Sequence, residues 1–211
     1  MKTVLVAAAV IALLAPAEAW GQSLPRRQDD PIPPQVDPMY VKGLRFLAQT
    51  QSKEGNWPDR NGTEPAVVGL CVMAFLAHGE DPNHGPYAKN IRLGIEFIMD
   101  SQSESNGYIG SSMYNHGFAT LALAEAYGVL RDKRIAEALK NAVDLILSAQ
   151  ERNGRGAWRY TPQSPDADTT VTGAQMVALY AARNAGLPVP DEAFKKGQAF
   201  LKRCRGSDGG Y

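Results

Sequence analysis

Between residues 39 and 211, apolar side chains recur at three- and four-residue spacing, broken by Gly- and Pro-rich turns, and no stretch alternates at period two. That pattern predicts an all-α domain. Two kinds of helix take turns along it. Residues 41–50 and 140–149 are amphipathic, whereas 65–77, 113–127 and 169–184 are apolar nearly all round. A helix without a polar face has to be covered, so the second kind is expected to form an inner layer and the first an outer one.

The alternation rests on a repeat of about 50 residues, the scale of stacked units that are each too small to bury their own apolar face. Each copy runs small residue, large apolar pair, Gln, Gly, aromatic. The first has Gly43, Phe46-Leu47, Gln51, Gly55 and Trp57, and the second Gly94, Phe97-Ile98, Gln102, Gly107 and Tyr108. The third has Ala142, Leu145-Ile146, Gln150, Gly154 and Trp158, and the fourth Gly197, Phe200-Leu201, Arg205, Gly209 and Tyr211. The apolar helices align separately on Gly69, Gly117 and Gly173, with Ala74, Ala122 and Ala178 five residues later. Small residues at fixed helical positions let neighbouring backbones approach closely, and Gly79, Gly128 and Gly186 suit the ends of these helices.

Composition adds a compartment and removes some partners. Basic and acidic side chains number 22 each among 211 residues, a balance without the excess charge that binds nucleic acid. Lys2, the apolar run at 4–14 and Ala17-Glu18-Ala19 read as a signal peptide cleaved after Ala19. The run falls short of the ~20 residues a transmembrane helix needs, so the mature chain is expected to be exported, periplasmic or secreted, with no transmembrane segment. Residues 20–38 hold five prolines among charged residues and are expected to form a disordered leader ahead of a domain at 39–211. Only Cys71 and Cys204 are available for disulfides, so stability must come from an apolar core. Cys71 fits that core as a small residue, and pairing with Cys204 is left open.

The Gln-Gly-aromatic copies resemble the QW motif of the terpenoid cyclase and protein prenyltransferase superfamily, found in prenyltransferase and squalene oxidase repeat proteins. The first copy, Lys42-Gly43 through Phe46-Leu47 and Gln51 to Gly55-Asn56-Trp57, matches every defining position. The third keeps Gln150, Gly154 and Trp158, while Tyr108, Tyr211 and Arg205 replace motif residues in the second and fourth. The resemblance covers residues 40–211 and implies an α/α-toroid whose inner helices surround an apolar cavity, with the motif residues as structural joints. Three helix pairs and the first helix of a fourth are fewer than that ring needs, so a partial toroid is expected. The sequence stops inside the turn Gly209-Gly210-Tyr211, and further repeats, an open half-toroid or self-association are the expectations that follow.

In that superfamily the active sites lie at the N-terminal ends of inner helices, which here correspond to Glu64, Ser112 and Asp168. From their chemistry alone all three are good N-caps, because an acceptor there satisfies free backbone N–H groups and complements the helix dipole. The resemblance adds a catalytic reading. Asp166-Ala167-Asp168-Thr169-Thr170 is similar to the Asp-x-Asp-Asp-Thr acid motif of class II triterpene cyclases, with Asp168 as proton donor, Asp166 in support and Thr169 replacing the next Asp. His116, beside Gly117, is a capping or core residue or else a general base. Glu64, Tyr114, Phe118, Phe75 and Tyr180 are candidates to contact a substrate, the aromatic rings because their faces stabilise cations.

No metal or cofactor is expected. Asp168 is followed by Thr169 and Thr170 without the Cys of the prenyltransferase zinc site, and His78, His84 and His116 share no ligand spacing. Nucleophile elbows and phosphate loops are absent from the sequence. The leading expectation is an exported protein that binds an isoprenoid-like hydrophobic ligand or a protein partner. The others are a triterpene cyclase using Asp168 and a glycan-active α/α-barrel with paired carboxylates such as Glu64 and Asp168.

Overall fold

A computed structural model of the protein describes Pro33, residues 35–57 and residues 62–210. Within them lie seven helices, α1 (Val36–Thr50), α2 (Pro65–His78), α3 (Ala88–Asp100), α4 (Met113–Leu130), α5 (Lys133–Arg152), α6 (Thr169–Asn184) and α7 (Asp191–Cys204). The fold is all-α, as the periodicity predicts. The signal sequence and most of the expected leader lie outside the described residues, but α1 already begins at Val36, inside that leader. Pro38 fits there because N–H groups in a first helical turn have no intrahelical partner. α5 likewise starts before the predicted residue 140. Asp132 caps it, accepting the Arg134 N–H at 2.8 Å, and Ile135, Ala138 and Leu139 extend its buried stripe.

The helices α2, α4 and α6 pack side by side in chain order. α3, α5 and α7 each lie against the inner helix that precedes them, and α1 lies against α2. Close backbone approach sets the spacing of both layers. A Cβ on Gly69 would sit 2.7 Å from the Phe118 carbonyl oxygen in α4, and one on Gly94 would sit 2.6 Å from Val72 Cγ2 in α2. A Cβ at Gly69 would strike the α4 backbone, and one at Gly94 would force the Val72 side chain to move, so glycine sets the separation at both contacts.

Glutamines join the repeats. Gln51 Nε2 donates to the carbonyls of Gly55 and of Asn90 in α3, both at 2.9 Å. Gln102 does the same to Gly107 (3.1 Å) and Ala138 in α5 (2.9 Å), and Gln150 to Gly156 and Ala193 in α7, both at 2.9 Å. One amide therefore closes its own turn and ties one outer helix to the next. Each such bond contributes roughly 1 kcal/mol net, and leaving a buried partner unsatisfied costs more.

The third copy corrects the sequence alignment. Its turn glycine is Gly156, with φ of 69°, matching 90° at Gly55 and 75° at Gly107; Gly154 has no positive φ. The indoles complete the joint, Trp57 Nε1 donating to the Leu47 carbonyl at 2.9 Å and Trp158 Nε1 to that of Ile146 at 2.8 Å. Leu47 lies in the last turn of α1, where its carbonyl also accepts the Gln51 N–H at 3.1 Å, and Ile146 lies in α5 four residues before the joint residue Gln150. In the second copy the position two residues past the glycine belongs to buried Ile109, not to Tyr108.

Candidate functional site

The inner helices begin side by side, and their first turns are cross-linked. Asn115 in α4 accepts the Ala66 N–H of α2 at 3.0 Å through Oδ1, while its Nδ2 donates to the Glu64 carboxylate. Glu64 stands at the N-cap position of α2 but makes no side-chain cap bond, so the capping expected of it has passed to Asn115. Ser112 caps its own helix, accepting the Asn115 N–H at 3.3 Å. Asp168 caps α6, with Oδ1 accepting the N–H groups of Thr170 and Val171 at 2.9 Å each.

Asp168 is held as an acceptor. The Thr170 hydroxyl donates to it at 2.6 Å, and the Tyr114 hydroxyl is bonded to Thr170 in turn, so α4 and α6 are linked through a short polar chain. The Thr170 side-chain bond, then the backbone bonds and the Arg159 charge, hold the Asp168 carboxyl below the usual carboxylate range. At neutral pH it is a carboxylate with no proton to give. Asp166 directs its own carboxylate to Arg159, and its carbonyl accepts the Asn153 amide at 2.8 Å.

His116 is buried completely, with both ring nitrogens engaged. Nδ1 accepts the Ile109 N–H at 3.1 Å, which places the ring proton on Nε2, the donor to the Ala142 carbonyl of α5 at 3.0 Å. Burial pushes its pKa down to about 4, against the opposing effect of the Ala142 bond. Thr172 explains the role, since it stands four residues past the Asp168 cap as His116 stands four past Ser112. Its hydroxyl accepts the Trp158 N–H at 3.2 Å, two residues past the turn glycine, as His116 accepts that of Ile109. The imidazole is therefore a neutral joint between turn, inner helix and outer helix, with no free lone pair for a general base.

Away from the outer helices the inner layer presents apolar side chains. Residues four and eight past each cap, such as Val68 and Val72 or Thr172 and Met176, are buried toward the outer layer. At 100° per residue, positions two, six and nine past the cap point the other way. They include Leu70 and Met73 on α2, Tyr114, Phe118 and Leu121 on α4, and Val177 on α6. Leu70 and Val177 are 50% and 51% exposed, high for residues of two apolar helices.

Of the candidate substrate contacts, Tyr114 and Phe118 lie on this open face, with Tyr114 at its rim beside Thr170. Phe75 is fully buried, its ring 5.2 Å from that of Tyr87, and Tyr180 stacks on Phe194 of α7 at 4.2 Å. These two belong to the contact between layers. Glu64 and Asp168 head α2 and α6, with α4 between them. Sequence reasoning passed over Asn115 and Arg159, whose roles depend on residues of other helices or loops, and exposed Tyr160, whose ring lies 6.2 Å from that of Tyr114.

Cys71 and Cys204 are both free. Among the described residues no group of three or more His, Cys, Asp or Glu side chains is placed to hold a metal ion, and no helix is long and apolar enough to cross a membrane. No family model matches this chain, and no curated protein matches it.

Proposed function

We propose that this chain is an exported prenyltransferase and squalene oxidase repeat protein whose toroid-like inner face binds a hydrophobic ligand without catalysing a reaction. The observation that carries this reading is the open apolar face of α2, α4 and α6, with Leu70 and Val177 half-exposed on it. An apolar ligand covering that face removes both surfaces from water, at about 25 cal/mol per Å² of apolar area. The hydroxyl chain from Tyr114 through Thr170 to Asp168 borders the face and supplies a polar edge that orients a ligand bearing a donor group. Catalysis by Asp168 as an acid is disfavoured by the hydrogen bonds that keep it ionised.

The reading is tested by titrating the protein with an environment-sensitive naphthalene dye and competing the dye with squalene. Saturable binding by wild type, weakened at least tenfold in Val177→Asp at unchanged melting temperature, supports it. Squalene turnover by wild type that disappears in Asp168→Asn would replace it with the cyclase reading.

A further inference from the structure

Within the two layers, the small residue of an outer helix receives a bulky side chain from the inner helix before it. Val72 of α2 occupies the space where Gly94 of α3 lacks a Cβ, and Met176 of α6 does the same at Gly197 of α7. Gly43 holds the equivalent position on α1 and, among the described residues, has nothing within 4 Å. Around it Tyr40, Leu44, Phe46, Leu47 and Ala74 line an apolar groove of 390 Å³. Phe46 is 63% exposed at its edge.

The neighbouring edge of α2 is open in the same way. Each inner helix lays its glycine against the next one, Gly69 against Phe118 and Gly117 against Ala174 and Gln175. On α2 the residue matching Phe118 and Ala174 is half-exposed Leu70. One surface of α1 and one of α2 thus reproduce, unfilled, the two contacts that hold α2, α4 and α6 in place.

We infer that this groove is a docking site for one apolar α-helix of a partner polypeptide, of the same kind as α2 and α6. Its glycine or alanine lies against Leu70, and an apolar side chain three residues later fills the space at Gly43, the spacing of Gly69 to Val72 and of Gly173 to Met176. The occupant continues the existing α2, α4, α6 interface by one helix. A second copy of this chain is a poor source for it, because Val72 and Met176 of its described inner helices are already seated at Gly94 and Gly197 of their own outer helices. The groove shares half-exposed Leu70 with the proposed ligand face, but its distinguishing residue, Gly43, lies on outer helix α1 and Val177 lies on α6, so substitutions at the two positions test the readings separately.

The test uses a labelled synthetic peptide with the sequence of α6, residues 169–184, titrated calorimetrically and by fluorescence anisotropy. Gly43→Leu fills the groove without a clash in the free protein, so it should not lower the melting temperature while removing one bound peptide per chain. The peptide carrying Met176→Asp should bind that site at least tenfold more weakly. Absence of saturable binding, or the same stoichiometry and affinity in Gly43→Leu, overturns the inference. So does a wild-type dimer in sedimentation that Gly43→Leu dissociates, since the occupant would then be a second copy. Squalene competition with the dye is unaffected by Gly43→Leu, so the two readings can fail separately.

Discussion

His116 should make the stability of this protein depend steeply on pH in a window set by one side chain. Its pKa falls from an ordinary 6.5 to about 4 in the folded state because burial penalises the imidazolium. The unfolded chain therefore takes up the proton first as pH falls. The stability contributed by the neutral ring is fully present above about pH 6.5 and is lost progressively down to about pH 4. At about 1.4 kcal/mol per unit of pKa, the loss over the whole window is about 3 kcal/mol, a large part of the roughly 5–15 kcal/mol that holds a typical domain together. Asp81, Asp132 and Asp168, whose carboxyls are depressed, contribute stability that is lost only at lower pH still. Urea unfolding at pH 7, 6, 5 and 4.5 reads the effect directly. His116→Thr, which copies the arrangement at Thr172, keeps an acceptor for the Ile109 N–H and should abolish the slope. The variant itself should cost about 1–3 kcal/mol at pH 7 for the lost bond to Ala142. A wild-type stability that stays flat from pH 7 to 4.5, or a slope that survives in His116→Thr, refutes the assignment of His116 as a buried neutral joint.

Three further outcomes are expected. Gln102→Leu removes the bonds to Gly107 and Ala138 and should destabilise by about 1–3 kcal/mol in denaturant titration. Gly94→Ala forces Val72 to move and should destabilise by about 1–3 kcal/mol, whereas Gly43→Ala, with nothing near it, should stabilise α1 by roughly 0.5–1 kcal/mol. Equal effects at the two glycines would contradict the packing described for the outer helices. Asp168→Ala removes the cap of α6 and should lower stability by about 0.5–2 kcal/mol at pH 7; because the Asp168 carboxyl is depressed, that difference should fade as pH drops through its folded pKa.

The all-α class and the two kinds of helix were legible because helical periodicity and the lack of a polar face are local properties. So was the recurrence of Gln ahead of a turn in the first three copies, although its turn glycine follows four, five and six residues later. What escaped depends on partners or on backbone angles. Gly154 and Gly156 both fall between Gln150 and Trp158, and only the positive φ at Gly156 shows which one makes the turn. Phe75 and Tyr180 sit on helices that are apolar nearly all round, so periodicity could not say which side faces the outer layer. The exchange of caps between Glu64 and Asn115 links residues 51 positions apart on two helices. His116 was open between joint and base until Ile109 and Ala142 were found on its two nitrogens. The catalytic reading of Asp166 and Asp168 came from motif likeness, and the structure gives each a local partner instead.

The most direct test of a hydrophobic-ligand-binding inner face is the affinity of Val177→Asp for the naphthalene dye relative to wild type. The substitution adds one charge to a half-exposed position on α6 and leaves every joint between repeats intact. At least tenfold weaker, squalene-competable binding at unchanged melting temperature is the predicted result. Equal binding by the two proteins, or no saturable binding by wild type, contradicts it.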